Sequence, residues 1–539
     1  MKKKYLGLLC MLLLLGIPSV HANFINVQNT TLTGQNTSTG SIQVQFDLSW
    51  ENSWRDSINY DGAWVFIKYR IGTGVWQHAH LNNVNFTLGT GTSHAIRVAP
   101  LTSTNIRTGA MIHRNTGGFG NFNASGIELQ WLYGSQSVSD AEALAAQLRV
   151  FAIEMVYIPD GNFFVGDGLT VRGHFHNGSQ PIQITGTDYS LPFFFNASTA
   201  MTHRVHGQDG LDINGNLVMS AWPTDNPDYP TGWNHFWIQK YEISQGQYVD
   251  FLNTLTYVQQ TARVVSATNV VNSNAQSGTT TDPNRYTIRV GTAGVNSSVP
   301  RVYITVRPDR ANNFMSWPDG AAYSDWAGLR PLSELEYEKA TRGYLNAVSG
   351  EYAWGNTSAV SGTTISGTEN GTETITTLNA NYSQASVTKS GGDGSTGPLR
   401  VGIHATNASN RTQAGASYFG VMDMTGNLSE RYVNCQHTQG RTYRGYSDLY
   451  HGDGLLASTG MADVPYWTGN AAIGSNTAAT GSVTLGTGLV NRGSNVNSDA
   501  WQTSDRPSSG TTVGTTATSY IDGNIRDYRF GHRSGRSGF

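Results

Sequence analysis

Ile42, Val44, Phe46, Leu48 and Trp50 alternate with polar residues without a break, the period of a strand with one face in a core. Ala63–Arg70, Ser93–Val98 and Ile127–Tyr133 read as further strands, separated by runs such as Asn115-Thr-Gly-Gly118. Short strands at this spacing predict an antiparallel β-sandwich over residues 23–150, with the inner aromatics as core. Ala141–Leu148 is a short helix or a connecting segment, and marks the join. From Met155 a strand, a turn through Pro159 and Gly161, and a second strand to Gly166 predict a hairpin.

Further along, the period becomes helical. Ser244 with Gln247, Ser316 with Asp319, and Ser333 with Glu336 are capping boxes that open three short helices. Their apolar faces carry Tyr248, Phe251 and Leu252, then Ala322, Tyr323 and Trp326, then Tyr337 and Ala340. Two insertions interrupt the pattern, one near 167–230 and one near 259–300. The first contains Asp209–Gly215, whose acidic spacing is wrong for an EF-hand, so Asn214-Gly215 reads more simply as a hairpin turn.

The first 22 residues change the picture of where the protein works. Lys2, Lys3 and Lys4, a leucine-rich run from Leu6 to Ile17, and Val20-His-Ala22 have the order of a secretory signal. The mature chain is expected to begin at Asn23, in an extracytoplasmic setting: periplasm, cell surface or medium. The apolar run falls short of the ~20 residues a span needs, so no membrane span is expected after signal removal.

Charged residues make up 13 % of the chain against ~25 % in ordinary domains. No basic patch points to nucleic acid. Cys10 leaves with the signal, so Cys435 stands alone and no internal disulfide is possible.

Candidate chemistry is sparse. Tyr418–Arg431 places Asp423 and Glu430 on either side of a Thr425-Gly-Asn427 turn. Hard oxygen donors around inward-facing carbonyls suit calcium, although a polar surface turn has the same residues. His78 and His80 alternate and offer two nitrogens, yet such pairs are more often solvated surface. His203 and His206 fall in a polar loop.

The chain from about 151 to 539 resembles the formylglycine-generating enzyme (sulfatase-modifying factor) family. The resemblance is carried by Phe236–Asn253, Ser316–Trp326, Arg330–Gly343, Tyr352-Ala-Trp-Gly-Asn356 and Tyr418–Arg431, in family order. Arg330-Pro-Leu-Ser333 departs locally from the family's Arg-Leu-Pro-Thr. The resemblance implies a C-type-lectin-like α+β fold, loop-rich, following the sandwich. It also implies two structural calcium ions. One matches Asp423 and Glu430 with the carbonyls of Gly426 and Leu428. The other matches Asn381-Tyr382 and Asp393 to Ser395, where Ser395 replaces an aromatic residue.

The oxidases of this family carry two copper-binding cysteines in a segment beginning Arg-Gly-Gly-Ser. Soft sulfur selects Cu(I), and a hydroxyl does not substitute for it. Counted from Arg492, the two positions fall on Ser498 and Thr503. No copper and no oxidase reaction are therefore expected. The reading that follows is an exported, degenerate module that binds a protein or glycan ligand or serves as structure, with a groove over 494–509. A metal-dependent oxidoreductase or protein-modifying enzyme, and a self-assembling subunit of an envelope or surface assembly, are its alternatives.

Overall fold

The computed structural model describes residues 25–168, 174–176, 180–186, 194–195, 217–218, 226–295, 297–406, 410–435, 438–470, 481–493, 501–506 and 523–539. It is a mixed α and β structure whose N-terminal part is rich in strands. Ten strands run through that part: β1 (Asn26–Asn36), β2 (Ser41–Arg55), β3 (Asp61–Arg70), β4 (Gln77–His78), β5 (Leu81–Thr87), β6 (Thr90–Gly91), β7 (His94–Val98), β8 (Ala110–Arg114), β9 (Gly118–Trp131) and β10 (Gln147–Ile158). One sheet has the order β1-β2-β9-β5, with β6 also on β9. A second sheet runs β10-β3-β8-β7, with β4 on β3.

The second sheet does not stop at the N-terminal region. Strand Phe236–Gln239 pairs antiparallel with β10, and Gly535–Ser537 pairs with Phe236–Gln239. β10 therefore spans the expected join at 150/151, with β3 on one side and a strand of the following region on the other. The predicted hairpin at Met155–Gly166 does not form. β10 is taken up by two longer partners, and Phe163–Val165 pairs instead with Ile182–Ile184.

β3 explains how the halves share a core. Every residue from Asp61 to Tyr69 is buried, as expected for a strand covered on both faces. Ala63, Val65, Ile67 and Tyr69 join Ile42, Val44, Phe46, Leu48 and Trp50 of β2 in one apolar cluster. Trp64 and Phe66, on the opposite face, join a second cluster with Phe251, Leu252, Tyr323 and Trp326. The N-terminal aromatics Trp50, Trp64 and Trp131 are fully enclosed, so they are core.

The α-helices among the described residues are α1 (Asp140–Ala145), α2 (Gln245–Leu252), α3 (Tyr257–Arg263), α4 (Trp317–Trp326), α5 (Glu334–Arg342) and α6 (Thr438–Arg441). The three expected capping boxes are all formed, and α1 opens on a fourth, Ser139 with Glu142. α3 runs across the start of the supposed insertion near 259–300 and is opened by Thr256 with Gln259. Among the described residues no helix is long and apolar enough to cross a membrane.

Candidate functional site

The stretch from 423 to 430 is a tight turn leading into strand Ser429–Val433, which pairs with Leu489–Arg492 and with Phe530–Gly531. Asp423, Gly426 and Asn427 have φ values of 56°, 105° and 49°, so the turn depends on residues that tolerate left-handed backbone. A Cβ on Gly426 would lie 2.6 Å from the Ser383 carbonyl.

All of the turn's charge is buried. Asp423 accepts from the Gly402 amide at 2.6 Å. Glu430 accepts from Arg533 Nε at 3.0 Å and from the Tyr432 hydroxyl. Glu242 takes the Leu428 amide at 2.9 Å and the Asn427 side chain at 2.5 Å. Burial pushes the Asp423 carboxyl up to about 6. Burial, then the nearby Asp423 and Glu430, pushes Glu242 well above the usual carboxylate range. Arg533 counters this crowding: it also donates to the Gln239, Lys240 and Met422 carbonyls at 2.9–3.0 Å, which fixes its guanidinium beside the acids.

The second set is more dispersed. Asn381 Oδ1 accepts from the Val360 amide at 2.9 Å, and the Tyr382 carbonyl accepts from Gly362 at 2.7 Å. Asp393 is held by Arg307 at 2.8 and 2.9 Å and by Arg310 at 2.7 Å. The Arg307 hydrogen bond, with Arg310 behind it, draws its carboxyl far below the usual range. The Ser395 carbonyl accepts from Lys389 at 2.9 Å. Guanidinium groups thus face the carboxylates of both sets, and among the described residues no three His, Cys, Asp or Glu are grouped to hold a metal. At Asp393 the two arginines occupy both carboxylate oxygens, the donors a calcium ion would use.

Of the two positions matched to the family's cysteines, Ser498 lies outside the described residues. Thr503 is 1 % exposed, and its hydroxyl has no hydrogen-bond partner among the described residues. Its amide donates to Glu351 at 2.8 Å and its carbonyl accepts from Arg492 at 3.0 Å.

Beneath it lies an ionic cluster that sequence reasoning missed. Arg492 donates to Glu334 at 3.2 Å and Glu338 at 2.9 Å. Arg506 grips Glu334 twice, at 2.6 and 2.8 Å. Arg342 bonds Glu351, Glu338 at 3.2 Å and Ser504 at 2.8 Å. The available signal was the i, i+4, i+8 spacing of Glu334, Glu338 and Arg342, which reads as a solvated helix face. All nine residues of α5 are instead buried.

Cys435 is buried beside this cluster, its amide bonded to Glu334 at 2.9 Å. Burial, then the Glu334 charge, pushes its thiol well above the usual range, so it is not a thiolate at neutral pH. The histidines also differ from expectation. His78 is 1 % exposed and bonds the Thr108 carbonyl, so it is not solvated surface, while His80 is half-buried. His203, His206 and Asp209–Gly215 lie outside the described residues, as does most of the expected groove; its described part, 501–506, is largely buried.

Residues 142–491 match the family described as sulfatase-modifying factor enzyme 1-like domain. The chain is 44 % identical over 57 residues to a protein named formylglycine-generating enzyme from Thermomonospora curvata, covering 11 % of this chain and 18 % of that one. It is 45 % identical over 53 residues to a protein of the same name from Streptomyces coelicolor, covering 10 % and 16 %. The matched stretch spans under a fifth of either relative.

Proposed function

The chain belongs to the sulfatase-modifying factor enzyme 1-like family, and on that premise we propose that it is an exported, non-catalytic member that serves as a binding or structural module. The observation that carries this reading is Thr503: where a thiolate would be needed, the chain has an enclosed hydroxyl. A hydroxyl is neither ionised at neutral pH nor a ligand suited to Cu(I). Cys435 is buried and its thiol is held protonated.

In this reading the N-terminal strands form a β-sandwich and the remainder a C-type-lectin-like unit. The two clusters on opposite faces of β3 support that arrangement. The test is direct. Mature protein, loaded with copper and given a sulfatase-type cysteine peptide, is expected to yield no aldehyde by mass spectrometry. Aldehyde formation would end the proposal.

We carry calcium forward for the 423–430 loop only, where the Gly426 and Leu428 carbonyls would join the acids. At Asp393 two arginines already cancel the charge a cation would need. Calcium added to chelator-treated protein should raise the melting temperature by several degrees if the ion holds that loop. An unchanged melting temperature assigns the role to Arg533 alone.

A further inference from the structure

The face of β3 turned toward the helices changes character along its length. Trp64 and Phe66 are followed on the same face by Lys68 and Arg70. Arg149 of β10 stands opposite Lys68 in the antiparallel register and so shares that face. Three cations therefore gather at that end of the sheet, where the Trp326 ring of α4 stands 5.3 Å from the Lys68 ammonium. Trp76 lies among them, with the Arg70 and Arg149 guanidinium carbons 4.9 and 5.0 Å from its ring centre.

A cavity of about 260 Å³ opens here between the N-terminal sheet and the following region. Lys68, Trp76, Gln77, Thr256, Gln259 and Ser458 contribute to its wall. Its volume is just under the ~300–1,000 Å³ of sites for larger organic ligands, which limits an occupant to about one ring.

The charge at this end of the sheet is poorly met, and Lys68 carries it into the cavity wall. Lys68 is 2 % exposed, and its ammonium donates to the Trp326 carbonyl at 2.8 Å and to the Gly454 carbonyl. No carboxylate among the described residues lies within ion-pair distance of it. Asp325 and Asp453 attract it only from further away, so burial holds the ammonium down to about 7. Arg70 bonds Gln147 but leaves a buried Nε–H without a partner among the described residues. Arg149 has Asp250 as its attracting charge. A buried ammonium in want of a close anion, with two half-buried guanidinium groups nearby and amides and hydroxyls in the wall, describes the complement of a small hydroxylated anion.

We propose that this cavity binds one acidic monosaccharide unit, its carboxylate or sulfate ester meeting Lys68 and its hydroxyls meeting Gln77, Thr256 and Ser458. The site owes nothing to Thr503 or to the loss of the family's reaction, and stands or falls separately.

Isothermal titration of the full mature chain with D-glucuronate, D-glucose 6-sulfate and D-glucose tests this. One-site binding of at least one of the acids, tenfold or more tighter than glucose, is expected. Binding of glucuronate alone, of the sulfate alone, or of both identifies the anion and supports the site. Lys68→Gln should weaken that binding at least tenfold with the melting temperature retained. If Lys68→Gln does not fold, Arg149→Gln, whose guanidinium carbon stands 5.0 Å from the ring centre of the wall residue Trp76, should weaken it at least threefold. The proposal is overturned if neither acid binds, if glucose binds as tightly, or if the folded charge-neutral variant binds like wild type.

Discussion

Glu430 and Arg533 show how a single residue pair can anchor a loop-rich region. Both are enclosed, and Arg533 also ties three carbonyls to the same point. Removing one partner of a buried pair leaves an uncompensated charge and costs about 3–5 kcal/mol. Arg533→Met is therefore expected to lower unfolding stability by that amount in urea titrations. Asp309 offers a test by pH. It is buried, and burial raises its carboxyl to about 6 against the pull of Arg400. A raised carboxyl favours the fold fully below its unfolded value of ~4, and that contribution is lost as pH rises through about 6. Asp309→Asn should therefore gain on wild type between pH 4 and 7, by up to about 3 kcal/mol, in chemical denaturation across that range.

At the scale of the element, α5 departs furthest from its appearance in the sequence. Its cap was legible because Ser333 and Glu336 bond within one turn, and local chemistry of that kind needs no tertiary context. Its burial was not legible. Glu334, Glu338 and Arg342 look like a solvated stripe until Arg492 and Arg506, more than 150 residues away, fold over them. Glu338→Ala would leave Arg342 and Arg492 each short of a carboxylate. A loss of about 3–5 kcal/mol is expected, large enough to see as a drop of several degrees in calorimetry. α3 was missed although its Thr256–Gln259 box was readable, because the helix lies where the family pattern is interrupted.

For the whole molecule, the continuous sheet is the deciding feature. β10 carries Phe151, Ile153 and Met155 into the cluster that also holds residues of α2 and α4. A truncated chain starting at 151 would lose β3 and β8, and with them Trp64, Phe66 and Met111 from that cluster. Such a chain is expected to aggregate or to elute as a broad, molten species in size-exclusion chromatography, and a chain starting at residue 23 to elute as one sharp peak. Glu154 of β10 strengthens the join, since it and Asp61 of β3 share Lys240 from the following region at 3.0 and 3.5 Å.

The sequence by itself determined what local periodicity and local hydrogen bonding can decide. The alternation in β2, the caps of α2, α4 and α5, and the hydroxyl residues Ser498 and Thr503 all follow from neighbouring residues or simple identity. Tertiary structure alone decided which charges meet. Arg533 reaches Glu430 across 103 positions, β10 gave up its hairpin for two distant strands, and Lys68 came to rest beside a cavity. These outcomes depend on burial, where a charge without a partner is costly, and burial is a property of the folded surroundings rather than of any stretch of chain.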